Sequence, residues 1–232
     1  MILSHKNKFI FIKTRKVSGT SMEISLSQFC GADDIITPIT YEDEVVRLDL
    51  GGVLAPNYGD PKEEQFRELI RQRRSDNPKT RHKGRYFNHI PAVKVRQHVG
   101  DDIWNEYFTF SMERHPYDKV ISNVYFHARR KDNWDFDKEL KRILKKGYYV
   151  GYPIYSDGDT PIVDFIVNYE NLQDDLAELS DRLGFDVAAH YPQTKHTYRP
   201  DRRPGRELLS DEAKETIYEH CRVEFEAFGF DR

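Results

Sequence analysis

The sequence is poor in the residues that define several common classes of protein. Cysteine occurs only twice among 232 residues, at Cys30 and Cys221, which excludes a disulfide framework and a multi-cysteine zinc site and favours two reduced thiols. No apolar run approaches the ~20 residues that cross a bilayer. Residues 1–8 also contain no apolar core of a signal peptide. We therefore predict a cytoplasmic protein without a membrane span.

The sequence also lacks an excess of either charge. Its 36 lysines and arginines oppose 39 aspartates and glutamates, for a formal net charge of −3. Because no overall field attracts the chain to nucleic acid, we predict no nucleic-acid partner, and any anion-binding surface must be local. The aromatic content of 13% argues against disorder. A chain of this length can bury one large core, so we expect a single domain over residues 1–232.

Short apolar runs alternate with helical patterns along the chain. The runs at residues 8–13, 107–112 and 163–167 are typical of buried strands. This alternation predicts an α/β fold with a mostly parallel sheet, in which ligands bind at the carboxyl ends of the strands. Residues 33–60 are predicted to form loops and short pieces. Helices are predicted after the strand at 8–13 and over residues 61–74, 91–99, 116–130, 172–183 and 210–228.

The first strand is followed by a polar loop that suits an anion. Lys16, Gly19, Thr20 and Ser21 lie between this strand and a helix that Ser18 or Thr20 could cap. The glycine permits a close approach of the backbone, and a helix N-terminus attracts phosphate or sulfate. An ordinary capped helix with a surface lysine explains the loop equally well when the loop is taken alone.

A second strand leads directly into another polar junction. Arg114 follows the strand, Pro116 is suited to start a helix, and Ser122 lies about two helical turns further on. Arg114 could bind a phosphate through two hydrogen bonds from its guanidinium group, and the Ser122 hydroxyl could donate another. Taken alone, a structural ion pair of Arg114 is the more common explanation.

Together the two segments resemble the sulfotransferases that use 3′-phosphoadenosine 5′-phosphosulfate (PAPS). Residues 16–21 resemble the 5′-phosphosulfate loop of that family, and Arg114, Pro116 and Ser122 resemble its 3′-phosphate motif. The likeness is closest to the carbohydrate-type branch, which includes heparan sulfate 2-O-sulfotransferase and bacterial relatives. It extends to residues 169–172 and 224–230. Residues 33–81 match little, and Arg15 stands where the family often has proline.

The resemblance implies a three-layer sandwich with a P-loop-like nucleotide-binding fold. It also implies transfer of a sulfuryl group from PAPS to the hydroxyl of a small-molecule or glycan acceptor, with carbohydrate favoured, without a metal and with adenosine 3′,5′-bisphosphate (PAP) as product. Lys16 would stabilise the leaving group, and the basic segment 195–206 would cover the cofactor. The expected cofactor contacts are Arg15, Lys16, Val17, Ser18, Gly19, Thr20, Ser21, Arg114, Ser122, Tyr198 and Arg199.

The acceptor hydroxyl needs a general base, for which His89 is the first candidate. It lies just before Pro91, and the resemblance implies that a histidine in this setting is the base. The ordinary pKa of histidine, near neutrality, suits the role. His82 and Glu113 are alternatives, and His115 is expected to orient the cofactor end.

Two other functions stay open at this stage. A small-molecule kinase would need a magnesium-binding carboxylate, for which Asp164 is a candidate. It would also need the lysine of a Walker A motif, which the loop lacks because Lys16 precedes Gly19. A non-catalytic module for anionic ligands would use the basic runs at residues 71–85 and 195–206. Such a module would need neither both junction motifs nor His89.

Overall fold

The structure, a computed structural model, describes residues 1–55, 63–74, 85–129, 131–192 and 199–232. The strands are β1 (Ile2–Ser4), β2 (Phe9–Phe11), β3 (Ile35–Ile36), β4 (Phe108–Glu113), β5 (Ser156–Asp157), β6 (Thr160–Pro161) and β7 (Phe165–Asn168). The first helices are α1 (Gly19–Ser27), α2 (Tyr41–Asp49), α3 (Glu63–Arg71), α4 (Ala92–Val99), α5 (Asp101–Glu106) and α6 (Pro116–Ala128). The later helices are α7 (Phe136–Lys146), α8 (Tyr152–Tyr155), α9 (Leu172–Leu183), α10 (Gly205–Leu208), α11 (Asp211–His220) and α12 (Arg222–Phe228).

The main sheet has five strands in the order β3-β1-β2-β4-β7. The β2–β4 and β4–β7 pairs are parallel, whereas β1 pairs with β2 and β3 in antiparallel orientation. The α/β prediction is therefore confirmed, but the sheet is mixed and not mostly parallel. The difference arises because β1 and β2 form an N-terminal hairpin around a short polar turn. The prediction had assigned a single strand to this region.

The sheet is buried on both faces because its side chains alternate between them. Phe9 and Phe11 pack with Met22 of α1 and Leu179 of α9 in one core cluster. Leu3, Ile10 and Ile12 pack on the other face, against Val95 of α4 and Trp104 of α5. Helices thus cover the sheet from two sides.

Several helices differ from the sequence prediction, and the short helices α5, α8 and α10 were not predicted. Helix α2 lies in the region predicted as loops, and its N-cap Thr40 accepts a hydrogen bond from the Asp43 N–H. Helix α7 was not predicted, although Asp135 caps it and Gly147 ends it in the left-handed region. The helix predicted over residues 210–228 is divided into α11 and α12, because buried Cys221 leaves helical geometry.

The two polar junctions lie at one edge of the sheet. Because β2 and β4 are adjacent and parallel, the chain leaves both strands at the same end, before α1 and before α6. None of the helices in the described parts of the chain combines the length and apolar character that crossing a membrane requires.

Candidate active site

A cavity of about 530 Å³ lies where the segments after β2 and β4 meet. Its walls bring together residues that are far apart in the sequence, including most of those predicted to form the site. The predicted residues that line it are Arg15, Lys16, Ser18, Gly19, Thr20, His89, Arg114, Ser122 and Arg199. Tyr198 and His82 lie outside the described residues, as do residues 75–84 of the first basic run.

The loop before α1 has an unusual backbone. Lys16 and Ser18 both have positive φ, of 64° and 66°, and such left-handed residues curl the chain into concavities that suit anions. Ser18 is the N-cap residue of α1, but its side chain makes no capping hydrogen bond, so the capping role predicted for it is wrong. The first N–H groups of α1 are therefore not satisfied by a Ser18 cap.

Two predicted contact residues of this segment, Val17 and Ser21, do not line the cavity. The side chain of Val17 is fully buried in the core cluster with Phe11 and Met22. Ser21 is also fully buried. Any contact of Val17 with a bound anion would therefore involve its backbone.

Two cations of the cavity wall, Lys16 and Arg15, lie over aromatic rings. Lys16 Nζ lies 3.9 Å from the centre of the Phe126 ring, and the Arg15 guanidinium carbon lies 5.2 Å from the centre of the Tyr148 ring. Such contacts attract a cation to the ring face. Burial lowers the pKa of Arg15 from its usual value. An anion in the cavity would therefore meet cations that are already partly desolvated.

Arg114 is held from two sides. Its guanidinium carbon lies 4.4 Å from the centre of the Tyr169 ring, and Nη2 lies 3.8 Å from Asp118 Oδ1. Its Nε is buried without a hydrogen-bond partner in the described part of the chain. A buried N–H of a cation without an acceptor is costly, so this nitrogen is suited to an incoming anion.

Arg199 has internal partners for all three of its nitrogens. Nη1 donates to Asp118 Oδ1 at 2.6 Å, Nε donates to the Asp201 carbonyl at 2.8 Å, and Nη2 donates to the Arg203 carbonyl. Although it lines the cavity, Arg199 therefore holds its own segment against α6. Arg202 of the same segment also lines the cavity.

His89 has a defined tautomer. Its Nδ1 lies 3.0 Å from the backbone carbonyl of Lys13. Because a carbonyl can only accept, Nδ1 carries the proton and the lone pair of the neutral ring is at Nε2. Burial, followed by the nearby cations of Lys13 and Arg15, holds the pKa of His89 well below 6.5. The ring is therefore neutral at physiological pH and can accept a proton at Nε2.

Among curated proteins, the chain is similar to an uncharacterized protein from Archaeoglobus fulgidus. The two are 32% identical over 101 residues, and the aligned region covers 41% of this chain and 82% of the archaeal protein. The chain belongs to the same family as this archaeal protein. No family model matches the chain.

Among solved structures, the chain is similar to the crystal structure of retinol dehydratase in complex with androsterone and the inactive cofactor PAP. The similarity covers 96% of this chain and 82% of that chain, with 14% identity and a TM-score of 0.48. A likeness at this level carries no argument about activity. The functional assignment therefore depends on the cavity itself.

The alternative site residues have structural partners. Glu113 is fully buried and accepts from Lys119 Nζ at 2.6 Å. His115 is within 3.0 Å of the Asp231 carbonyl through Nε2 and is absent from the cavity lining. Asp164 Oδ2 accepts from both N–H and Oγ1 of Thr109, each at 2.8 Å. These contacts fasten β4, α6 and the C-terminal segment, and they give no support to a base at Glu113 or a metal ligand at Asp164.

The sequence analysis missed several lining residues. Phe126 could have been found, because it lies four residues after Ser122 and therefore on the same face of α6. Tyr148 comes from a segment with no recognisable motif, and Asp43 has only the spacing of a helix cap with Thr40. The fold brings both residues to the cavity.

Proposed function

We propose that the protein is a sulfotransferase that uses PAPS to sulfate an acceptor hydroxyl. The observation that carries this proposal is the convergence of the two anion-binding segments and a neutral histidine on one cavity. Neither a simple helix cap nor a structural ion pair requires Lys16, Arg114 and His89 to line the same space. The resemblance of both segments to the motifs of PAPS-dependent enzymes supports the same reading.

The cavity fits a polyanionic nucleotide. Lys16 and the backbone at residues 18–20 would hold the 5′-phosphosulfate, while Arg114 and Ser122 would hold the 3′-phosphate. The Nε of Arg114, which has no hydrogen-bond partner among the described residues, provides a buried donor for such a phosphate. When bound, PAPS would supply the activated sulfuryl group. Arg199 would act by fixing its segment, and Arg202 would add a cation at the rim.

His89 would act as the general base. Its Nε2 would accept the proton of the acceptor hydroxyl, and the Lys13 carbonyl would keep the ring oriented through Nδ1–H. Lys16 and the N-terminus of α1 would stabilise the negative charge that develops on the leaving oxygen.

A carbohydrate is the acceptor that we propose. Tyr148 lines the cavity beside Arg15 and is 49% exposed, so part of its ring would be available to a ligand. Exposed aromatic rings pack against the apolar faces of sugar rings, and polar groups such as Thr40 and Asn88 line the same space. A screen of glycans, lipids and small alcohols with labelled PAPS tests this choice. Exclusive labelling of lipids would contradict it.

Calorimetry with PAP tests the cofactor assignment. We expect binding without magnesium, and we expect Arg114→Ala to weaken it about 10- to 100-fold, because hydrogen bonds to a charged group are lost. Arg182→Ala is a matched control, since Arg182 on α9 pairs with Glu178 and packs over Phe165, away from the cavity lining. The affinity of Arg182→Ala for PAP should equal that of the wild type. Magnesium-dependent ATP binding that is tighter than PAP binding would contradict the proposal and favour a kinase.

A further inference from the structure

Lys13 lines the cavity and makes contacts in two directions. Its backbone carbonyl lies 3.0 Å from His89 Nδ1. Its Nζ lies 3.3 Å from Thr20 Oγ1 and 2.5 Å from Glu23 Oε2. Lys13 is 4% exposed and Glu23 is fully buried. One residue therefore contacts both the ring of the proposed base and the first turn of α1.

The packing around Lys13 is close. A Cβ added to Gly19 would lie 2.9 Å from Lys13 Cγ, so the lysine side chain passes directly against the first residue of α1. Glu23 is fixed on its other side, because its Oε1 accepts from Thr37 Oγ1 at 3.2 Å and from the amino group of Met1. The ammonium of Lys13 is thus held in one place.

We propose that Lys13, held by Glu23, is a positioning residue that couples the orientation of His89 to the anion-binding turn at Gly19 and Thr20. The proposal rests on the proposed function, in which His89 accepts a proton and this turn holds the phosphosulfate. Lys13 is not a catalytic residue in this scheme. It acts through the two groups that it contacts.

The charge of Lys13 also acts on His89. Burial lowers the pKa of His89 most, and the positive charges of Lys13 and Arg15 lower it further. The amino group of Met1 contributes less, and burial lowers its own pKa to about 5. Asp43 of α2 lines the same cavity and is the acidic residue in its lining. Removal of the Lys13 ammonium should therefore raise the pKa of His89, because one source of repulsion for the imidazolium is lost.

The test is an NMR titration of the His89 ring nitrogens in the protein without ligand, assigned with His89→Gln. Lys13→Met alone would leave Glu23 without its main partner, so the decisive variant is Lys13→Met/Glu23→Gln, which removes both charges. We expect the Nδ1–H tautomer to persist through the Lys13 carbonyl. The pKa of His89 should rise by about 0.5 unit, because Lys13 is the charge that lowers it most and Glu23 is not among its main perturbing charges. PAP affinity should fall by about 3- to 10-fold, because Thr20 loses its contact with Lys13 and the cavity wall loses a cation.

A second neutralised pair provides the control. Lys119→Met/Glu113→Gln also removes a fully buried ion pair, but these residues do not line the cavity, and it should leave the pKa of His89 unchanged. An unchanged His89 pKa in Lys13→Met/Glu23→Gln, or a proton found on Nε2 in the wild type, would overturn the inference. These readouts need no turnover. A shifted His89 pKa in a protein that transfers no sulfuryl group would therefore overturn the proposed function and leave the positioning role of Lys13 intact.

Discussion

Replacement of His89 by glutamine is expected to slow sulfuryl transfer by about 10²- to 10⁴-fold, the usual contribution of a general base. Glutamine keeps a polar side chain of moderate size but cannot take up the proton of the acceptor hydroxyl. His89 is also not among the groups proposed to bind the phosphates. PAP affinity should therefore stay within about threefold of the wild type, so that the loss is confined to turnover.

The pH profile of the wild type gives an independent check on this role. Because burial and the cations of Lys13 and Arg15 hold the pKa of His89 well below 6.5, the neutral ring persists into mildly acidic solution. The value of kcat/KM for the acceptor should therefore begin to fall only below pH 6.5, as His89 takes up a proton. The remaining activity of His89→Gln should lack this acidic limb.

His115→Gln is a suitable comparison for His89→Gln. The His115 ring packs against Tyr117, Phe225 and Phe230 and does not line the cavity. His115→Gln should therefore lower the melting temperature and leave turnover close to that of the wild type. A His89→Gln enzyme with full turnover would show that another group is the base.

The parts of the site that could be predicted from the sequence are local ones. Residues 16–21 and the Arg114–Ser122 spacing each lie in a single strand-to-helix junction, so their geometry is set by neighbours in the chain. The parallel pairing of β2 with β4 then brings the two junctions together, as the alternation of strands and helices had predicted.

Other parts of the site depend on contacts between distant segments. The tautomer of His89 is set by a backbone carbonyl 76 residues earlier, and a backbone atom has no sequence signature. Arg199, predicted to contact the cofactor, lines the cavity and also forms an ion pair with Asp118 of α6. No local pattern in the sequence predicts this ion pair.

Some missed elements did have a local signal. Thr40 and Asp43 have the spacing of a capping box, and the hydrogen bond from the Asp43 N–H to Thr40 does start α2. The apolar residues Phe136, Leu140, Ile143 and Leu144 follow helical spacing before Gly147, where α7 ends. By contrast, β1 has only three residues. So short a strand depends on its partners β2 and β3 and not on its own sequence.

A network of buried charged side chains lies next to Arg114. Lys119 Nζ lies 2.6 Å from Glu113 Oε1 and 3.8 Å from Glu224 Oε1, with all three side chains buried. Tyr155 donates to Glu113 Oε2 at 3.2 Å, and the N–H of Arg114 donates to Oε1 at 2.8 Å. The network therefore connects the core directly to the end of β4, from which Arg114 projects.

Lys119→Met should reduce the free energy of unfolding by about 3 to 5 kcal/mol, because it leaves two buried carboxylates without their ammonium. Burial, with a contribution from Glu224, already raises the pKa of Glu113 above its ordinary value of 4.5. Loss of Lys119 should raise it further. Urea denaturation followed by circular dichroism measures the change in the free energy of unfolding.

The loss of stability in Lys119→Met should grow as the pH rises. A carboxyl group whose pKa is raised in the folded state favours folding fully below its unfolded value, here near 4.5, and this contribution is lost as the pH rises through the folded value. The variant should therefore approach wild-type stability near pH 4.5 and fall behind it toward neutral pH. Lys119→Met/Glu113→Gln should recover much of the lost stability, because it removes one of the two unpaired carboxylates. The other, Glu224, still accepts a hydrogen bond from the Gly151 N–H at 2.9 Å.

A free energy of unfolding for Lys119→Met within about 1 kcal/mol of the wild type at pH 7 would contradict this prediction. It would mean that the buried carboxylates do not depend on Lys119.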